Sequence, residues 1–179
     1  MNQTLLLKVM SRAQASHTET DQPEFNQSSI YPKLSETDLT ITIRELGFAP
    51  PNLYIDLMQT IGNGGFGPGC GLMGLVGGAT DDMGSTAVSL YNTFAQSDPD
   101  DPAWKWPHGL LPICHWGCAI YSCIDCTQKM TPVKTWDPNE WEDGTSPALA
   151  IRASGMSLEE WLESWSEGVD LWKKMYPST

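Results

Sequence analysis

Between Gly109 and Cys126 the chain reads as two short extended runs joined by a tight turn at Trp116-Gly117. This stretch holds four of the five cysteines and one of the three histidines. Its geometry therefore decides whether those thiols are ligands, a nucleophile or packing. Side chains alternate across a strand, which puts Cys118 and Cys126 on one face and Cys123 with Tyr121 and Asp125 on the other. A structural zinc site needs about four ligands converging on one ion at about 2.3 Å. Alternation opposes that convergence, so Cys114, Cys118, Cys123 and Cys126 are expected as small apolar packing groups. The competing reading is a zinc or thiol site formed by these four with His115.

With 179 residues and 8 Trp, the chain is long enough for one domain with a real core and an appendage. The formal charge of −12 and pI near 4.4 argue against nucleic acid or an anionic membrane as a direct partner. They favour a cationic protein, because opposite fields speed encounter, although the same charge also keeps a protein soluble. No run approaches the roughly 20 apolar residues of a membrane span. Leu5 to Met10 faintly imitates a signal peptide, but it lacks a basic n-region and Lys8 interrupts it. The expectation is a cytoplasmic protein with reduced thiols and no cofactor.

Residues 4–15 suit a short helix with Leu5, Val9 and Met10 on one side. Ser11 to Ser29 is polar and reads as a mobile linker. The expected division is a partly disordered arm over 1–29 and a folded domain over 30–179. Ser35 to Leu46 suits a helix capped by Ser35, with Leu39, Ile43 and Leu46 inward. A second helix opens at Pro50 or Pro51, carries Leu53, Leu57 and Ile61 on one face, and stops at the glycines from Gly62. A glycine-rich strand is expected over Leu72–Val76 and a helix over Ser85–Gln96, with Ala87, Leu90, Tyr91 and Phe94 inward. Two further strands are expected at Thr131–Trp136 and Ala148–Ala153. A long closing helix follows a capping box at Ser157–Glu160, and its stripe runs through Leu158, Trp161, Leu162, Trp165, Val169 and Trp172. Lys173 and Lys174 fall at the negative end of its dipole. The fold class is α+β, with a mostly antiparallel central sheet flanked by helices.

Signals for catalysis are thin. Gly62 to Gly67 matches G-x-G-x-x-G by letter, yet a helix precedes it and more glycine follows, so it suits a tight turn and close backbone approach. There is no G-x-S-x-G, H-E-x-x-H or P-loop. His17, His108 and His115 are the only histidines, and one falls in the expected linker. The Asp81-Asp82 pair and the carboxylates near Asp98 are cation-binding candidates that more often just face water. The segment Asp98-Pro-Asp100-Asp101-Pro-Ala-Trp104-Lys-Trp106 mixes charge with indoles, as an interaction epitope does. The alternative is that its indoles fold down over a sheet edge, and Trp136 and Trp141 carry the same choice.

Four features in order resemble the SMI1/KNR4 family of the SUKH superfamily. They are the helix from Pro50 to Met58 running into Asn63-Gly64-Gly65, and the strand opening at Leu110–Ile113. The run Trp116–Asp125 is similar to the family's glycine–aromatic–aspartate strand, and the helix at Ser157–Leu162 comes last. Cys118 and Ala119 stand where many relatives place glycine and an acidic residue. The resemblance implies an α+β domain without established catalytic residues. It further implies an immunity-type protein that binds and blocks a cognate basic toxin, often a nuclease, or else a regulatory scaffold. On that reading Asp98, Asp100, Asp101, Trp104 and Trp106 are the expected partner-binding residues.

Overall fold

The computed structural model describes residues 3–15 and 29–176. Most of the expected linker, with His17, lies outside the described residues. Four strands form one antiparallel sheet in sequence order: β1 (Leu110–His115), β2 (Tyr121–Asp125), β3 (Pro132–Trp136) and β4 (Ile151–Ser157). The α+β class is therefore observed. The first hairpin registers His115 opposite Tyr121 and Leu110 opposite Asp125, with a bulge between Pro112 and Cys114.

The expected strand at Leu72–Val76 does not form as such. Met73 N–H donates to the Ile113 carbonyl and Cys70 N–H to that of His115, but only one isolated bridge, Leu72 to Cys114, results. The chain turns away because the Gly74 amide is committed to Ala79 O at 2.7 Å. Gly74 admits no side chain, since a Cβ would fall 2.3 Å from Ala79 N. Even so, this short segment covers the outer edge of β1, which would otherwise offer unpaired backbone to another chain. Asn63, 3% exposed, holds the glycine-rich loop by donating to Val76 O and accepting from Leu75 N–H.

The helices sit where patterning places them, with local corrections. Helix α1 (Gln3–Ala15) forms where a helix over residues 4–15 is expected, and buries Leu5, Leu6, Val9 and Ala13. Helix α2 (Glu36–Leu46) has Ser35 as N-cap and ends at Gly47 with φ 75°. Thr42 rather than Ile43 turns inward: Thr42 Oγ1 accepts from Val76 N–H, while Ile43 stays 38% exposed. Helix α3 (Asn52–Thr60) follows Pro50-Pro51 and buries Tyr54, Leu57 and Met58. The Tyr54 hydroxyl donates to Met73 O, tying this helix to the covering segment. Helix α4 (Ala87–Ala95) starts at a Thr86–Ser89 capping box.

At the other end, residues 147–150 form a 3-10 turn rather than strand, because Pro147 opens it and Ser146 caps it. The capping box at Ser157–Glu160 is present and starts α5 (Leu158–Ser166). The closing helix is two pieces, not one. Gly168 takes φ 84°, Asp170 caps anew, and α6 (Leu171–Met175) follows. Val169 and Trp172 leave the expected stripe and are 42% and 39% exposed. Helix α1 lies along α5, where Lys8 Nζ bridges Glu163 and Glu167 at 2.8 and 2.9 Å. The described buried residues of all these elements, Trp161 and Ile124 among them, make one core.

The Ser157 hydroxyl accepts from Glu160 N–H, and the Glu160 carboxylate takes the Ser157 amide at 2.8 Å. Ser157→Ala should therefore lower stability by about 1 kcal/mol in urea unfolding. A change of only a few tenths would show that the box adds nothing to α5.

Candidate functional site

The surface of interest is built on a cluster of aromatic rings at one side of the sheet. Phe94 closes α4, Trp136 ends β3, and the chain from Asp98 to Trp106 folds back between them. Phe94 lies 4.5 Å from Trp106 and 6.0 Å from Trp104. Trp106 and Trp136 meet edge to face at 5.5 Å. Both indoles of the loop are tied to backbone: Trp104 Nε1 donates to Phe94 O and Trp106 Nε1 to Leu110 O, each at 2.8 Å. Buried indoles find an acceptor, and edge-to-face pairs add about 0.5–1.5 kcal/mol beyond burial.

Those anchors place the five expected partner-binding residues unequally. Trp106 is 8% exposed and lies under the loop. Trp104 is half-buried, Asp101 likewise, and Asp98 and Asp100 are exposed. The carboxylates shape their own loop: Asp98 accepts from Asp100 N–H at 2.8 Å and Asp101 from Ala103 N–H at 3.0 Å. Such turns mimic backbone bonding and hold the loop in one form. Trp141, from the second indole-and-acid segment, packs on Trp104 at 5.2 Å. The two indole-and-acid segments of the sequence thus form a single surface. Contact between positions 37 residues apart leaves no periodic signal, so only the shared Trp-with-acid composition hinted at it.

The hairpin around the cysteines holds its strands, but not its turn. Trp116 N–H donates to Ile120 O and Ile120 N–H to Gly117 O, so the connection spans 116–120 instead of two residues. Gly117, Cys118 and Ala119 all have positive φ, at 89°, 51° and 58°. A non-glycine residue there costs roughly 1–2 kcal/mol, so Cys118 and Ala119 hold this turn under backbone strain. Cys118 is exposed at this turn, so it lines no strand face with Cys126. Cys114 and Cys123 are buried, and burial holds both thiols well above their usual range. Burial, then the Asp125 charge, pushes Cys126 up to about 12. Raised thiols resist forming the thiolate that a nucleophile must be. Among the described residues no group of three or more His, Cys, Asp or Glu is placed to hold a metal.

Other candidates are engaged in structure. Asp81 accepts the Tyr121 hydroxyl at 2.9 Å and the Met83 and Ser85 amides. Asp82 stands 3.5 Å from buried His115 Nε2. The Gly62–Gly67 stretch follows α3, with no strand before it and no helix directly after, so its arrangement is not that of a dinucleotide loop. Asp125 accepts from Thr127 N–H and Oγ1, from Gln128 at 2.7 Å and from Lys134 at 3.0 Å. Burial alone would raise this carboxyl, but those donors prevail and hold it near 2. It closes the β2–β3 turn.

A sequence model of the SMI1 / KNR4 family (SUKH-1) matches residues 33–164. No curated protein matches the chain significantly. No described helix is long and apolar enough to cross a membrane.

Two outcomes follow from these environments. A thiol-reactive disulfide reagent at pH 8 should modify one thiol fast in the native protein, and Cys118→Ser should remove that phase. A fast phase that survives this change would contradict the burial of Cys114 and Cys123 and the partial burial of Cys70 and Cys126. Because the folded Asp125 is depressed, its stabilisation is present above the unfolded carboxyl value of about 4 and fades as pH falls toward 2. Asp125→Asn should accordingly flatten the fall in urea stability over that window. An unchanged slope would remove Asp125 as a contributor.

Proposed function

The chain belongs to the SMI1/KNR4 family, SUKH-1, and on that premise we propose that it is a non-catalytic immunity-type protein that binds and neutralises a cationic toxin domain. The observation that carries this reading is the acidic loop of exposed Asp98 and Asp100 with half-buried Asp101, held by its own turns over buried Trp106 and half-buried Trp104. Among the described residues none of the three sits in an ion pair. A preformed negative loop loses little conformational freedom on binding, and its field steers a basic partner into place. Neutralisation of this kind needs no chemistry from the chain: covering a basic active site is enough. The net charge of −12 extends the same attraction over the whole surface.

The placement of Cys118 on an exposed turn, while Cys114 and Cys123 lie in the core, favours this reading over a thiol or zinc protein centred on the cluster. A scaffold of the same fold would use the same surface but leave its partner's activity intact. Capture from the native host at low and high salt, followed by assay of the captured protein with and without the chain, separates the two.

Reversing Asp98, Asp100 and Asp101 to Lys should slow association with the captured basic protein on the order of tenfold or more and flatten its salt dependence. Unchanged association rates would take this loop out of the interface.

A further inference from the structure

The half-buried pair Trp104 and Trp141 has a geometry that the toxin-binding reading does not itself require. Their rings meet edge to face at 83° with centroids 5.2 Å apart and so form a corner. Trp106 stacks with Trp104 at 6.3 Å, and Trp136 meets Trp104 edge-on at 6.0 Å. Each indole N–H is already used, Trp104 on Phe94 O and Trp141 on Thr145 O at 3.0 Å. What the pair offers outward is therefore aromatic carbon, not a hydrogen-bond donor. Two acidic turns flank it. Trp104 N–H donates to Asp101 O on one side, and Thr145 N–H to Glu142 O on the other. The aromatic contact thus brings exposed Asp98 and Asp100, with Asp101, to the same place as exposed Glu142 and Asp143. Glu140 is not part of this charge, since it pairs with Arg152 at 2.9 Å. The exposed ammonium of Lys105 is the one basic group adjoining Trp104 in the chain.

We propose that this corner seats an arginine side chain of the partner, the guanidinium lying on an indole face with its N–H groups directed at the flanking carboxylates. The inference rests on the reading of the chain as a binder of a cationic protein. Charge complementarity selects a cation, and the aromatic walls select between the two kinds. A guanidinium is planar, weakly hydrated and able to stack while donating in a fork to carboxylates. An ammonium is compact and strongly hydrated, and gains less from a flat carbon wall. The corner therefore distinguishes arginine from lysine, whereas diffuse acidity attracts both alike.

The test uses the whole chain and two probes, acetyl-Gly-Arg-Gly-amide and its lysine counterpart, titrated at low ionic strength. Indole N–H signals are followed by NMR. The Arg probe should move the Trp104 and Trp141 signals, leave that of buried Trp161 in place, and bind about fivefold more tightly than the Lys probe. Trp141→Leu should abolish that preference. Trp141→Phe, which keeps an aromatic face, should retain part of it and covers the case in which the leucine variant does not fold. Asp101→Asn with Asp143→Asn should weaken both probes together. Equal binding of the two probes, or no movement at Trp104 and Trp141, overturns the proposal while leaving toxin neutralisation open. A clear Arg preference in a chain that inhibits no captured protein would leave the corner standing and remove the toxin reading.

Discussion

Edge-to-face packing of indoles against the end of β3 is the interaction on which the candidate surface depends. Trp104 and Trp136 meet at 6.0 Å and 87°, and Trp106 and Trp136 at 5.5 Å and 84°. Without those contacts the chain from Asp98 to Pro107, which contains three prolines, would have no regular hydrogen-bond ladder to hold it. With them, an irregular loop gains the position of a strand-borne site. The carboxylates then need only local turns to point in a defined direction. Rigid aromatic anchors beneath, charge above, is the arrangement on which the proposed recognition rests.

The sheet explains why that cluster lies where it does. Antiparallel order β1-β2-β3-β4 sets Tyr121 opposite Trp136 and Trp136 opposite Ile151. One transverse row therefore collects aromatic and apolar side chains from three strands. Phe94 reaches both Tyr121 and Trp136 from α4, so helix and sheet close around the same rings. The adjacent row runs Ser122, Thr135, Arg152. There α6 supplies the cover: Ser122 and Thr135 hydroxyls donate to the Met175 sulfur. Tyr176 donates to Asp137 at 2.6 Å. Two small additions outside the family match, α1 and α6, thus finish a core whose centre belongs to the family region.

Much of this was legible in the chain because the relevant forces are local. The Ser157–Glu160 box, the Ser35 cap and the Pro50-Pro51 start depend on residues within one helical turn of each other. The β1–β2 pair followed from its apolar runs. Failures came where distant groups compete. Gly168 could have been tolerated inside a helix, and only its left-handed backbone shows that the helix ends there. Leu72–Val76 looked like a strand, yet Ala79 captured the Gly74 amide first. Thr42 displaced Ile43 from the interior because Val76 N–H needed an acceptor. At the surface, acidity and indoles were visible separately. Their meeting through Trp104 and Trp141 was not, because no spacing rule links two loops across a sheet.

The most direct test of a rigid acidic loop acting as the recognition surface is the hydrogen-exchange footprint of the chain in complex with the basic protein captured from its host. The account predicts added protection at residues 98–104 and 141–145, with β4 and α1 unchanged. Protection along β4 or α1 that leaves both loops exchanging as in the free chain would contradict it.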